Sequence, residues 1–461
     1  MIIFSSPILE IDETIPLCGI SDYHELRLDY LQKPIQFPLC KIKKNYIITI
    51  RDCAEGGKNQ CCLLEKIAYY QLVISKSNCL VDLELANYSA DVPAGNLILS
   101  YHDFSDQYDL HELESKVLSA NQLPAKYLKI AVNITKYNQF HELANIIKLS
   151  NKPVILVGMG KLGKISRLLY SHIGSVATYI AKSDKATVPG QLTTDEAELM
   201  KLNRITPATQ IGGLIGGNQV YHSLGLAYFN SYFAKNDLPA AYLPFQIDDL
   251  EDFWRWINSS QISFYGFSIT MPHKSSLTER LGIRSKLKAY NLFLPKNHKL
   301  YNTDMLAFGS AVDHLHISNN ENILIMGTGN TTETALFALQ DFPNVIVCGR
   351  NEIAGNRLAE IYQRQFVNFS AELPDVSLLI NCTSLGLNGE DFWAETGLCK
   401  YSKTFSSIKV IDLPYSQKIS SLITHCNEND FSYTDGKMFW QWQSERQLLE
   451  FCQAITQKEK K

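Results

Sequence analysis

The sequence predicts an α/β protein in two parts: an N-terminal (β/α)8 TIM barrel, then a small α/β domain and a Rossmann domain. Three observations lead there. Short β-type runs alternate with helical stretches through the first 185 residues. A polar junction, Lys201 to Gln210, separates them from a fresh strand, Gly213-Leu214-Ile215-Gly216. Further on, a glycine turn sits between two apolar strands near residue 322. The length of 461 residues also calls for more than one core, since single cores stop growing near ~250–300 residues.

Eight runs read as strands of the first part: Ile2–Ser5, Glu25–Asp29, Tyr46–Arg51, Leu80–Leu85, Leu97–Asp103, Tyr127–Val132, Val154–Gly158 and Val176–Ala181. Leu63–Ser75, Leu110–Ala120 and Phe140–Leu149 read as helices between them. Strand–helix alternation implies parallel strands with right-handed crossovers, and eight such units close into a barrel. The stretch is short for that fold, so some helices are trimmed.

Polar residues fall where barrel chemistry occurs, at the carboxyl ends of strands. Alternation puts Glu25, Arg27 and Asp29 on one face. Lys129 shares a face with Ala131, while Leu128, Ile130 and Val132 pack on the other, so Lys129 points inward. Arg51 ends its strand and His102 nearly ends its own. A barrel lysine whose pKa is lowered by desolvation and nearby cations can attack a ketone. The protonated imine then acidifies the neighbouring C–H for a histidine base, and Glu55 is placed to orient His102. Arg27, Arg51 and Arg167 offer guanidinium forks for a carboxylate and hydroxyls. Spacing alone leaves the alternative open that Lys129 is a structural lysine paired with Glu25.

The ordered set Glu25-Leu26-Arg27, Thr49-Ile50-Arg51, Glu55, Ser100-Tyr101-His102-Asp103, Lys129-Ile130-Ala131, Met159-Gly160, Ser166-Arg167 and Pro189-Gly190-Gln191 resembles type I 3-dehydroquinate dehydratase. The resemblance implies that Lys129 forms a Schiff base with the C3 ketone of 3-dehydroquinate. His102 then removes the C2 proton and protonates the departing C1 hydroxyl, and Glu55 positions His102. Glu25, Arg27, Arg51, Arg167 and Gln191 would bind substrate, with Thr187 in the place of the family's lid serine. That domain is expected over residues 1–205.

In the second part, Asn322–Met326 is a strand, Gly327-Thr328-Gly329-Asn330 a tight turn, Glu333–Leu339 a helix and Val345–Cys348 a second strand. This opens a dinucleotide fold, with backbone N–H groups at the helix N-terminus facing a pyrophosphate. An NAD site carries Asp or Glu at the end of the second strand. Here Arg350 stands there, and a guanidinium suits the 2′-phosphate of NADP. Upstream, Lys274 and Asp304 form a plausible proton-donor pair for a carbonyl receiving hydride.

With His222-Ser223-Leu224, Ser268–Lys274, Asn291, Asn302-Thr303-Asp304, Asn381–Ser384 and Asp412-Leu413-Pro414-Tyr415, this half resembles shikimate dehydrogenase. The resemblance implies a substrate-binding domain over 211–310, with a C-terminal helix, 437–456, packing back on it, and an NADP-binding Rossmann domain over 311–436. Lys274 and Asp304 would be catalytic. Ser223, Thr270, Asn291, Tyr415 and Gln443, rather than Gln441, would bind substrate. Gly327, Thr328, Gly329, Asn330, Arg350, Thr383 and Gly436 would line the NADP(H) site. Gly225 replaces a second serine of the family, removing one hydroxyl.

The two resemblances join, because 3-dehydroshikimate, the product of the first reaction, is the substrate of the second and yields shikimate. The expected protein is a bifunctional cytoplasmic enzyme of the shikimate pathway with NADP(H) as its cofactor and no metal. Alternatives keep the architecture with a quinate- or NAD-preferring reductase, or make one half a non-catalytic scaffold. The net charge of −4 argues against nucleic-acid or membrane-surface partners. The 11 cysteines lack metal-ligand spacing and fit free thiols in a reducing compartment. The first residues carry no basic segment or cleavage site of a signal peptide.

Overall fold

Runs of apolar residues at alternate positions set up the first sheet. Leu128, Ile130 and Val132 are buried on one face of a strand whose other face carries Lys129 and Ala131. Burying each such aliphatic side chain is worth about 1.5–3 kcal/mol. The protein is described from a computed structural model covering residues 1–461 apart from 16, 183–189, 275, 277–279, 281–286, 288, 370–374, 399–407, 416–417 and 458–461. The chain divides into two units, Met1–Phe264 and Tyr265–Lys461.

The first unit opens with eight parallel strands: β1 (Ile2–Pro7), β2 (Tyr23–Arg27), β3 (Tyr46–Thr49), β4 (Leu80–Glu84), β5 (Leu97–Asp103), β6 (Tyr127–Asn133), β7 (Val154–Met159) and β8 (Thr178–Ala181). A short β9 (Leu192–Thr193) pairs with β8. Their order, β7-β6-β5-β4-β3-β2-β1-β8-β9, follows the chain around a curled sheet. At the seam, Val176 N–H donates to the Val154 carbonyl at 2.9 Å and Leu156 N–H to Ser175 Oγ at 2.8 Å. Helices α1 (Leu63–Ser77), α2 (Leu110–Asn121) and α3 (Gln139–Lys148) occupy the expected crossovers. Inside the curl, Ile3, Ile47, Leu80, Ile98, Ala131 and Ile155 form the floor beneath the polar tips.

The sequence expectation for β2 ran to Asp29. The strand ends at Arg27, and Asp29 lies in a 3-10 turn, Leu28–Tyr30, where it pairs with the arginine. Likewise β3 stops at Thr49, so Arg51 follows the strand rather than ending it.

The junction is tied down. Thr209 Oγ1 accepts from Thr206 N–H at 2.9 Å, and its carbonyl lies 2.8 Å from His172 Nε2. Beyond it, β10 (Gln210–Gly216) and β11 (Ala240–Gln246) pair in parallel. The helix Leu250–Ser259 turns Phe253 and Trp256 toward the ring of Tyr137, at 5.0 and 5.2 Å.

The second unit begins within β12 (Phe264–Ile269), which pairs antiparallel with β13 (Leu292–Leu294), as β13 does with β14 (Lys299–Tyr301). Six parallel strands follow: β15 (Ile323–Met326), β16 (Val345–Cys348), β17 (Gln365–Val367), β18 (Leu378–Asn381), β19 (Lys409–Asp412) and β20 (Tyr433–Asp435). Their order is β17-β16-β15-β18-β19-β20, the doubly wound order whose switch point takes a dinucleotide. The C-terminal helix, Gly436–Thr456, packs back on β12, with Phe451 at 5.2 Å from Tyr265. Among the described residues, no helix is long and apolar enough to cross a membrane.

Candidate active sites

At the carboxyl ends of the first eight strands lies a cavity of about 220 Å³. Lys129 reaches it from the middle of β6 and is 5% exposed. Its Nζ lies 2.9 Å from Asp82 Oδ2 and 3.5 Å from Glu25 Oε1, over the ring of Tyr179 at 4.5 Å. Among the described residues, the groups in direct contact with the amine are thus two carboxylates and an aromatic face, where the sequence had suggested cations. Glu25 is itself held by the hydroxyls of Ser5 and Thr49.

His102, on β5, meets Glu55 with 2.7 Å between Nδ1 and Oε2. Glu55 reaches it from a 3-10 turn, Cys53–Glu55, which Asp52 caps by accepting from Ala54 N–H at 2.8 Å. Burial, then the positive charges of Arg51 and Lys129, push the imidazole well below its usual range, so it is neutral at neutral pH. Burial also raises Glu55, to about 7; Arg51 opposes the rise while Glu84 and Asp82 add to it. When Glu55 is ionised it accepts Nδ1–H and leaves Nε2 with a free lone pair, the form a general base needs.

Arg51 was expected to bind substrate. It does line the cavity, but its guanidinium is already engaged: Nη2 with Asp82 at 2.8 Å, Nη1 with Glu84 at 3.0 Å and Ser100 Oγ at 2.6 Å. Burial works against its charge and the two carboxylates outweigh that, so its pKa lies above the ordinary. Arg51 is a structural hub as well as part of the wall.

Arg27, held in a fork by Asp29 at 2.8 and 2.9 Å, also lines the cavity, as do Arg167 and Gln191. Arg167 is 2% exposed, and burial lowers its pKa to about 10. Its Nη1 donates to the Tyr179 carbonyl at 3.3 Å and its Nε has no partner among the described residues. A buried guanidinium with an unused donor is ready for an anionic ligand. Thr187 lies outside the described residues. The sequence reading missed Asp82, Glu84, Ser100 and Lys66. The first two alternate in Leu80-Val81-Asp82-Leu83-Glu84 as plainly as Glu25 and Arg27 do, and that period was a usable signal.

In the second unit, Lys274 Nζ lies 2.8 Å from Asp304 Oδ2. The other oxygen of Asp304 accepts from Asn291 Nδ2 at 2.9 Å, and Asn291 Oδ1 accepts from Thr303 N–H at 2.7 Å. The C-terminal helix closes this network: Gln443 Oε1 lies 3.3 Å from Asn291 Nδ2 and 2.8 Å from Gln447 Nε2. Gln441 instead donates to Glu445 in solvent. Gln443 thus joins the Asn291–Asp304 network and Gln441 does not, and Gln447 joins it too, accepting from Ser268 at 2.5 Å. Thr270 is half-buried after β12, its carbonyl accepting from His273 N–H. Tyr415 is 41% exposed, and burial, then the charge of Asp304, push its phenol up.

Ser223, in the first unit, caps the helix Leu224–Lys235 by accepting from Gly225 N–H at 3.1 Å. A Cβ at position 225 would stand 3.3 Å from both Ser223 Oγ and the Tyr242 ring. A side chain at 225 would therefore press on both groups.

The nucleotide turn has the expected form. Gly327 has φ +118°, a conformation that favours glycine. Its N–H donates to the Cys348 carbonyl at 2.8 Å. Gly329 caps the helix Asn330–Ala338, and a Cβ there would meet nothing within 4 Å, so a ligand can approach the backbone. Thr328 is half-buried and Asn330 exposed at that N-terminus. Arg350 is exposed just past β16. Thr383 Oγ1 donates to Asn381 at 2.6 Å. Gly436 starts the last helix, where a Cβ would fall 2.3 Å from the Leu413 carbonyl oxygen. An open glycine turn at a helix N-terminus with a cation at the next strand end suits a phosphorylated dinucleotide.

Residues 3–201 match the family model of type I 3-dehydroquinase, and residues 215–287 that of the shikimate dehydrogenase substrate binding domain. A protein of Arabidopsis thaliana described as bifunctional 3-dehydroquinate dehydratase/shikimate dehydrogenase, chloroplastic, is 26% identical over 453 residues, 89% of this chain and 74% of its own. Shikimate dehydrogenase (NADP(+)) of Dictyoglomus turgidum is 28% identical over 251 residues, 50% of this chain and 88% of its own. The solved dehydroquinate dehydratase and shikimate dehydrogenase of S. pombe AroM aligns over 99% of this chain and 98% of its own, at 19% identity and a TM-score of 0.42.

Proposed function

We infer that this chain joins a type I 3-dehydroquinase to a shikimate dehydrogenase and works as a bifunctional shikimate-pathway enzyme. Its first half dehydrates 3-dehydroquinate to 3-dehydroshikimate, and its second reduces 3-dehydroshikimate to shikimate with NADPH. The observation that carries the reading is a histidine held by a carboxylate, His102 and Glu55, sharing one cavity with the Lys129 amine.

In this reading Lys129 condenses with the substrate ketone, expelling water as the imine forms, and hydrolysis of the product imine later returns the free amine. Protonation of the imine withdraws electrons from the adjacent carbon, and His102 Nε2 takes the proton released there. The same imidazolium then protonates the leaving hydroxyl, which returns His102 to its starting state. Arg167, whose Nε has no partner among the described residues, binds the substrate together with Arg27, Arg51, Glu25 and Gln191. Thr187 belongs to the lid.

In the second half the nicotinamide, when bound, supplies the hydride. Lys274 gives a proton to the carbonyl oxygen, and Asp304 keeps the ammonium charged and aimed. Ser223, Thr270, Asn291, Tyr415 and Gln443 hold substrate. Gly327, Thr328, Gly329, Asn330, Thr383 and Gly436 would line the NADP(H) site, with the glycine turn suited to the pyrophosphate and Arg350 to the 2′-phosphate. Functional domains run over 1–205, 211–310 with 437–456, and 311–436.

Borohydride reduction in the presence of 3-dehydroquinate tests the lyase half. The expected product is a covalent adduct on the peptide containing Lys129, found by mass mapping. Normal dehydration with no adduct at that position would overturn the Schiff-base assignment.

A further inference from the structure

We propose that Lys66, on the outer helix α1, is a positioning residue for the dehydratase site, acting through Glu84 on both the His102–Glu55 pair and the Lys129 amine. The proposal rests on the dehydratase reading above and extends it to a residue that does not line the cavity.

Lys66 is 3% exposed, an unusual place for a lysine on a helix that covers a barrel. Its Nζ lies 2.6 Å from Glu84 Oε2, beside the ring of Tyr70 at 5.8 Å. A buried ammonium needs such a partner. Glu84 then reaches the site by two routes from its other oxygen. Oε1 accepts from Asp52 N–H at 2.9 Å, which fixes the turn carrying Glu55 against His102. Oε1 also meets Arg51 Nη1 at 3.0 Å, and Arg51 Nη2 holds Asp82, whose far oxygen holds Lys129. One carboxylate thus anchors both the base and the amine, and Lys66 is its counter-charge on α1.

The groups facing this pair are Arg51, Asp52 and Glu55 after β3, Asp82 and, behind it, Lys129 from the sheet, Tyr70 on α1, and Cys61 in the loop before it. Glu84 is among the negative charges that favour the protonated form of Glu55. Neutralising Lys66 therefore leaves Arg51 as the one cation paired with Glu84 among the described residues and makes Glu55 harder to ionise. Neutralising Glu84 does the reverse. Because Glu55 must be ionised to leave His102 Nε2 free, the two changes should move the acid limb of dehydration in opposite directions.

The test is the pH profile of kcat for dehydration in the full-length chain, with reduction of 3-dehydroshikimate by the same preparation as the check on folding. Lys66→Met should shift the acid limb up by about half a pH unit or more, with KM within about twofold. Glu84→Gln should shift it down, and Lys66→Arg, which keeps the charge, should lie near the wild type. An unmoved limb in either Lys66→Met or Glu84→Gln, with reduction intact, overturns the proposal. Loss of both activities in both variants assigns the pair to folding and overturns it as well. A wild-type chain that dehydrates nothing would instead sink the functional reading beneath it.

Discussion

Glu55 stands in a balance between burial, which favours its protonated form, and Arg51, which favours its charge, and the outcome is a pKa of about 7. The sign of the consequence follows from the proton on His102. Protonated Glu55 donates to Nδ1 and forces the ring proton onto Nε2, so the base is blocked. Ionised Glu55 frees Nε2. The dehydration rate should therefore rise about tenfold per pH unit below 7 and level off above it. Glu55→Gln should flatten that limb and lower kcat about 10²-fold, which a pH–rate profile will read. Lys129→Ala should abolish dehydration and leave reduction intact, and Lys274→Ala should cut reduction by about 10²-fold while sparing dehydration. Assaying both reactions on each variant checks this, and a joint loss would refute independent sites. Lys129 and Glu25 were legible because strand alternation fixes which side chains share a face, and His102 because it nearly ends its strand. Lys66 was not, since nothing in Glu65-Lys66-Ile67 distinguishes a buried lysine from a solvated one.

At the scale of elements, the clearest joint is the start of α3. The carboxylate of Asp252, from the helix Leu250–Ser259, accepts Tyr137 N–H at 2.5 Å and Asn138 N–H at 3.3 Å. The Tyr137 hydroxyl donates to the Gln246 carbonyl at 2.9 Å. Asp252→Ala would leave the Tyr137 N–H buried without an acceptor, a cost of about 1–3 kcal/mol. Thermal denaturation should show a fall in Tm of about 2–4 °C for each kcal/mol lost. An unchanged Tm would mean that water or another group replaces the carboxylate. The last helix shows what periodicity reveals. Gln443 and Gln447 are four apart and share the face toward Asn291, whereas Gln441 points away. Spacing from Met438 left Gln441 and Gln443 open in the sequence, with the following Gln447 favouring Gln443, and the structure puts Gln443 and Gln447 on one face.

For the whole molecule, the first unit runs to Phe264 and includes β10, β11 and the Leu250–Ser259 helix along with the eight-stranded sheet. Its parts share an aromatic cluster in which Trp256 stands 5.2 Å from Tyr137 and 5.5 Å from Phe140. A fragment of residues 1–205 would expose Tyr137 and Phe140, which are 3% and 2% exposed in the chain. It should melt lower and be less soluble than a fragment of residues 1–264. Equal melting temperatures would show that the sheet with its own helices is self-sufficient.

The order of strands and helices, the glycine turn with Arg350 after the next strand, and the inward set of Glu25, His102 and Lys129 followed from the sequence by itself. Each depends on local periodicity and backbone sterics, which neighbouring residues determine. Which charges meet was decided by the tertiary structure. Arg51 came to serve Asp82 and Glu84, Lys66 went under the barrel wall, and Asp252 found the start of α3. Those pairings join residues far apart in the chain, and a buried charge takes whichever partner folding brings within reach.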